Sequence, residues 1–303
     1  MATLSVKNLF KHYKGAKYIS ARNISFEVKE GEIFGFLGIN GAGKSTTIKC
    51  ITGIIPFTSG TVEICGHDLA KNPMQAKQSF GFVPDNHAVY DKLTGTEYVN
   101  YLADLYKVPA EERKERFESL CKIFNMEHAV NNQIMSYSHG MKQKISIIGA
   151  LIHSPKLWIL DEPMVGLDPQ SIFEVKNYMR EYAKAGNSVF FSSHNLDTVE
   201  RLCDRAIVVH GGRVIKEFDM NDYRKTGKTK KGKTLEEEFI EITQAQTVEQ
   251  NKFKTLLKQQ EAELAEKHGA LKAHFMIVKQ VKQEVEKEIK EIENNLDSNK
   301  DSI

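Results

Sequence analysis

The residues best placed to do chemistry are Gly38-Ile39-Asn40-Gly41-Ala42-Gly43-Lys44-Ser45-Thr46, a GxxxxGK run followed by Ser and Thr. Glycines at 38, 41 and 43 allow successive backbone N–H groups to turn inward around the oxygens of a polyphosphate. A helix starting near Lys44 adds its positive N-terminal end. Lys44 would reach the terminal phosphates and Ser45 would ligate Mg²⁺, while Asn40 and Ala42 complete the turn and Thr46 starts the helix. Splitting a phosphoanhydride further needs a metal shell, a base beside an attacking water and a contact to the terminal phosphate. Leu157-Trp158-Ile159-Leu160 is an apolar run that ends in two carboxylates. Asp161 would hold the metal, and Glu162 would face the water as base. His194 closes a second such run, Phe191-Ser192-Ser193-His194, and becomes a phosphate and water contact.

These groups have to be positioned by the elements around them. The apolar run Ile33–Leu37 feeds the glycine turn as a strand, and a helix follows to about Gly53. Alternation at Ile24, Phe26 and Val28 predicts a half-buried strand near the start of the chain. Further strands are expected at Thr61–Ile64 and Phe80–Val83. From Thr94 to Ala129 apolar residues recur at three- and four-residue steps (Tyr98, Leu102, Leu105, then Phe117, Leu120, Phe124), which predicts a helical insert. Leu157–Leu160 and Ser188–Phe191 have the look of buried parallel strands. Gly211-Gly212-Arg213 reads as a tight turn between two strands, and the basic stretch past Asp219, from Arg224 to Lys233, as an exposed linker.

Composition narrows the class. The 303 residues are 41% hydrophobic and 27% charged, enough for one large or two modest globular domains, and the formal net charge is +2. So small a charge argues against a dedicated nucleic-acid binder, and no nucleic-acid partner is expected. The four cysteines are scattered without a CxxC pair, which indicates neither a zinc knuckle nor a disulfide framework and fits a reducing cytoplasm. No apolar core opens the chain and no run approaches eighteen apolar residues. The expectation is a soluble, unprocessed chain that meets a membrane only through a partner.

Over residues 1–243 the sequence resembles the nucleotide-binding subunit of ATP-binding cassette transporters. Beyond the phosphate loop and Leu160-Asp161-Glu162-Pro163, it carries Tyr137-Ser138-His139-Gly140-Met141-Lys142-Gln143-Lys144 where that family has its signature LSGGQ. Gly166-Leu167-Asp168-Pro169 stands where the family has its D-loop. The resemblance implies an α/β fold: a P-loop NTPase core with a mostly parallel sheet, an N-terminal antiparallel β subdomain, a helical subdomain over about 86–155, and an additional C-terminal helical extension over 244–303. It implies ATP and Mg²⁺ as cofactors and a head-to-tail pair of cassettes, either a homodimer or a heterodimer with another ATP-binding subunit. Each ATP is then held between one cassette's phosphate loop and the other's Ser138, His139 and Gly140, with Asp168 beside them. Tyr13 falls about where the family stacks an aromatic ring on adenine. The implied partner is a transmembrane permease, which places the chain at the cytoplasmic face of the membrane, and several short segments are similar to bacterial exporter subunits. A soluble cassette acting as an ATP-dependent clamp is the rival reading; such proteins usually carry two cassettes or a very long coiled coil.

Two residues depart from the family pattern. His139 replaces a glycine, which puts a ring where backbone usually nears the nucleotide and makes the imidazole a candidate donor to ribose or phosphate. Asp85 stands where a Gln or Glu usually touches metal and water; being shorter, it would reach them only through a water. Near the C-terminus Leu257, Leu264, Leu271, Val278, Val285 and Ile292 recur every seven residues, the pattern of a helical hairpin or short coiled coil.

Overall fold

Strand alternation builds the first layer. In β2 (Ile19–Lys29) Ile24, Phe26 and Val28 are buried while Ser25, Glu27 and Lys29 face out, so one face of the strand must be covered. The computed structural model describes residues 2–13, 19–86 and 89–245, together with Gln283. Its residues fall into two units, Met1–Leu235 and Glu236–Ile303. Helical residues 236–245 open the second unit; the heptad positions from Leu257 to Ile292 lie outside the described residues.

Within the first unit β1 (Ala2–His12) pairs antiparallel with β2 and with β4 (Ser59–Ile64). The short β5 (His67–Asp68) completes a four-stranded sheet in the order β2-β1-β4-β5. The second sheet contains β3 (Ile33–Leu37), β6 (Phe80–Val83), β7 (Leu157–Leu160), β8 (Ser188–Ser193), β9 (Arg205–His210) and β10 (Arg213–Asp219), in the order β10-β9-β3-β8-β7-β6. All its pairings are parallel except the β9–β10 hairpin, which turns at Gly211-Gly212. The central strands β3, β7 and β8 are buried along their whole length, as a sheet covered on both faces requires. Phe26 of the first sheet packs on Phe34, Phe36 and Phe190 of the second, with ring centroids 5.3–5.6 Å apart, so one apolar core joins the two layers.

The helices follow their sequence signals. The helix α1 (Lys44–Ile51) follows the glycine loop, and α2 (Pro73–Gln78) precedes β6. The insert supplies α3 (Gly95–Leu105), α4 (Ala110–Ile123) and α5 (His139–Leu151). α3 opens on a capping box: the Glu97 N–H donates to Thr94 Oγ1 at 3.1 Å, and the Thr94 N–H donates to Glu97 Oε2 at 2.8 Å. α6 (Pro169–Lys184) and α7 (Leu196–Leu202) connect the parallel strands. The basic stretch is exposed as expected of a linker, with Lys228, Lys230 and Lys231 in bends and turns, but its start at Arg224 and Lys225 is helical. Asp219 caps a helix α8 (Met220–Thr226) by accepting from the N–H groups of Asn221 and Asp222, and Met220 and Tyr223 are buried beneath the charges. A local cap together with two apolar anchors makes that start helical while Arg224 and Lys225 stay in solvent.

Candidate functional site

In an open parallel sheet the carboxyl ends of adjacent strands share one edge, and ligands bind there. The order β3-β8-β7-β6 therefore brings four sequence-distant segments side by side: the glycine loop after Leu37, His194 after Ser193, Asp161-Glu162 after Leu160, and Asp85 just beyond Val83. Two glycines of the loop are demanded by close packing. A Cβ at Gly38 would lie 2.5 Å from the Val209 carbonyl oxygen. Gly43 takes φ +103° against the Ser20 carbonyl, so a side chain there would collide with the backbone.

Lys44 is buried. Its Nζ donates to the carbonyl oxygens of Gly38 (2.8 Å) and Ile39 (3.3 Å) and pairs with Glu162 Oε1 at 3.1 Å. The other carboxylate oxygen of Glu162 lies 3.0 Å from His194 Nδ1. Glu162 thus stands between a cation and an imidazole, with its backbone in the left-handed region at φ +50°. Asp161, by contrast, is 1% exposed. Its Oδ1 accepts from Ser192 Oγ at 2.6 Å, and the same hydroxyl oxygen accepts the Glu162 N–H at 2.9 Å. Burial pushes the Asp161 carboxyl above the usual carboxylate range. Hydrogen bonds from Ser192 and Ser45 pull it back, and the charges of Asp85 and Glu162 push it up again.

A magnesium ion fits this arrangement. Asp161 Oδ2 is buried with no protein hydrogen-bond partner, and the Ser45 hydroxyl bonds to the same carboxylate, which makes a pair of hard oxygen donors beside the phosphate loop. Among the described residues no three His, Cys, Asp or Glu side chains converge as a metal cage. That suits an ion whose remaining ligands are phosphate oxygens and water. Asp85 is exposed and accepts the Asn86 N–H at 2.8 Å; it acts on Asp161 through its charge.

The signature residues form a second cluster. Ser138 caps α5 by accepting the Met141 N–H at 3.2 Å, and Asp168 caps α6 by accepting from Ser171 N (3.0 Å) and Ser171 Oγ (2.6 Å). The bonds from Ser171 hold the Asp168 carboxyl below its ordinary range. His139 leans on Gly166 of its own chain, where a Cβ would lie 2.5 Å from His139 Nε2; a Cβ at Gly140 would meet Leu167 at 3.6 Å. Tyr13 stands at the end of β1, 40% exposed, with the Lys11 ammonium 4.8 Å from its ring centroid. The β1–β2 pairs Lys11↔Ala21 and His12↔Ile19 set Ser20, whose carbonyl abuts Gly43, against the last residues of β1 just before Tyr13.

Sequence reasoning did not single out Ser192, Gln143 or the Lys144–Glu174 pair. Ser192 carries a faint signal, a hydroxyl following Val189-Phe190-Phe191 in a strand otherwise built for burial. Gln143 (1% exposed) donates to the Pro163 carbonyl at 3.2 Å, and Lys144 meets Glu174 at 2.9 Å with both side chains largely buried. These partners lie 20 and 30 residues away, beyond the reach of local pattern.

The ABC transporter family model matches residues 21–165. Two similar Bacillus subtilis proteins are the linearmycin resistance ATP-binding protein LnrL and the ABC-type transporter ATP-binding protein EcsA. The first is 39% identical over 70% of this chain and 68% of its own length, the second 35% identical over 80% and 97%. A solved structure of the ATP binding subunit of an ABC transporter superposes with a TM-score of 0.72 at 34% identity, covering 79% of this chain and 99% of that one. The four-strand edge with its glycine loop and paired carboxylates, and relatives matched over most of their length, lead to one conclusion: the chain belongs to the ABC transporter family and is an ATP-hydrolysing ATP-binding subunit of it.

Proposed function

We propose that this subunit powers an exporter by ATP-dependent closure of two cassettes that face opposite ways, a movement transmitted to a separate transmembrane permease. The observation that carries the chemical part is the position of Glu162, whose two carboxylate oxygens lie 3.1 Å from Lys44 Nζ and 3.0 Å from His194 Nδ1 at the mouth of the glycine loop. The backbone N–H groups of residues 38–46 and the Lys44 ammonium hold the polyphosphate. Ser45 and Asp161 hold Mg²⁺, with Asp85 acting from farther out. Bound there, the ion neutralises charge that builds on the phosphate oxygens. Glu162 takes the proton of the attacking water, and His194 orients that carboxylate and the terminal phosphate. Tyr13 offers its free face to adenine. Ser138, His139 and Gly140, at the N-terminus of α5, meet the nucleotide of the opposite cassette, with Asp168 alongside.

For the permease, a groove of about 340 Å³ offers a place for a short partner segment to dock. Phe80, Phe82, Leu102, Lys77 and Tyr106 are among the residues that line it. It is bounded by α3 of the insert and by β6, whose end carries Asp85, so pressure on it reaches the metal side of the site. Among the described residues no helix is long and apolar enough to cross a membrane. The relative named for linearmycin resistance supports the export direction. Tryptic identification of a multi-span protein that co-purifies from membranes tests the pairing, and ATP turnover of Glu162→Gln tests the chemistry. Wild-type turnover in that variant would overturn the assignment of the base.

A further inference from the structure

Glu162 keeps a left-handed backbone (φ +50°), a conformation that a non-glycine residue holds only when its surroundings impose it. Two hydrogen bonds bracket it. On one side its own N–H donates to Ser192 Oγ at 2.9 Å. On the other, Pro163 has no N–H to give, and its carbonyl accepts from Gln143 Nε2 at 3.2 Å in a buried contact. Gln143 belongs to α5, five residues beyond Ser138. That helix grips the segment after Glu162 at further points, through Lys144 with Glu174 and through the His139 ring on Gly166. Of these, the Gln143 contact is the one next to Glu162.

We infer that Gln143 is a positioning residue for Glu162, and that it ties the base of this cassette's own site to the helix that presents Ser138 to the neighbouring cassette. A shift of α5 when Ser138 engages nucleotide moves the Pro163 carbonyl, and with it the peptide that aims the Glu162 carboxylate. Hydrolysis at one site is thereby conditioned on occupation of the other. The inference rests on Glu162 being the base.

Gln143→Met keeps the volume and removes the donor, and Gln143→Glu does the same with a nearly isosteric group. In either variant kcat is expected to fall at least ten-fold, with KM for ATP within two-fold of wild type and a Hill coefficient near one. The control is Glu162→Gln with and without Gln143→Met, assayed by light scattering for dimer formation in Mg-ATP. Equal midpoints are expected, because the positioning role has nothing left to position. Unchanged kcat in both Gln143 variants overturns the inference. So does weaker dimerisation in the double variant, since Gln143 would then act through the signature helix and not through the base. If Glu162→Gln itself hydrolyses at the wild-type rate, the base assignment fails first; if it is inactive while Gln143→Met turns over normally, only the coupling fails.

Discussion

Asp161 and Glu162 are adjacent in sequence and opposite in environment, and that contrast sets what each can do. Asp161 is buried, held by Ser192 and Ser45, and harder to ionise than an ordinary carboxylate. A group whose pKa is raised on folding favours the folded chain in its protonated form; that contribution is present at low pH and lost as pH rises through the folded value. At neutral pH its charge is therefore a cost carried for the metal. Asp161→Asn is expected to raise the thermal midpoint of the nucleotide-free chain while abolishing Mg²⁺-dependent turnover, a trade visible by calorimetry and a phosphate-release assay side by side. Glu162, reached by both Lys44 and His194, is the more accessible carboxylate. Its replacement by Gln should lower kcat by about 10²–10⁴-fold, the usual worth of a general base, with ATP binding retained in a filter or fluorescence assay. The place of both residues was legible as an apolar run ending in two acids. The hydroxyl of Ser192, which bonds to both, was not, because nothing in the order of residues says that β8 will lie beside β7.

Among the elements, α5 departs furthest from an ordinary surface helix. Its pair Lys144–Glu174 is largely withdrawn from water, so removing one partner strands the other. Lys144→Met should cost about 3–5 kcal/mol in denaturant unfolding, and adding Glu174→Leu should recover most of it. The C-terminal end of the same helix leads to His153. Its ring stacks on Tyr106 with centroids 3.6 Å apart, and its Nε2 lies 3.1 Å from the Phe80 carbonyl oxygen. Burial lowers its pKa to about 4, with the Phe80 bond opposing and Arg116 adding to the fall. For a group depressed on folding, the stabilising neutral form is present above the unfolded value and lost as pH drops to the folded one. Between pH 6.5 and 4 the unfolded chain gains a proton that the folded chain refuses, worth on the order of 3 kcal/mol. His153→Phe keeps the stack, and its unfolding midpoint should vary less over that window; an unaltered pH slope would refute the assignment. The helices of the insert were readable from three- and four-residue spacing; the Thr94–Glu97 cap that opens α3 came from the structure. The helix α8 was not, because its basic residues Arg224 and Lys225 are solvated while two apolar anchors and the Asp219 cap hold it down.

For the whole molecule, the groove beside α3 sits on a different face of the logic from the nucleotide edge, and the two should separate by mutation. Leu105, one turn beyond the groove residue Leu102, is 58% exposed at the end of α3. Leu105→Asp is expected to lose co-purification with a membrane partner while the isolated subunit hydrolyses ATP at its normal rate; loss of both together would count against a docking role for this face.

Chain order alone specified the phosphate loop, the acid pair, the histidine and the alternation of strands and helices, because each is written in neighbouring residues whose chemistry and periodicity are local. Strand order was decided only in three dimensions. It set β8 between β3 and β7, and so put His194 on Glu162 and Ser192 on Asp161, while the packing of α5 put Gln143 behind Pro163. Those contacts join residues 20–32 positions apart, and which distant surfaces meet follows from how two sheets and a helical insert bury their apolar faces together, a property no short window of sequence contains.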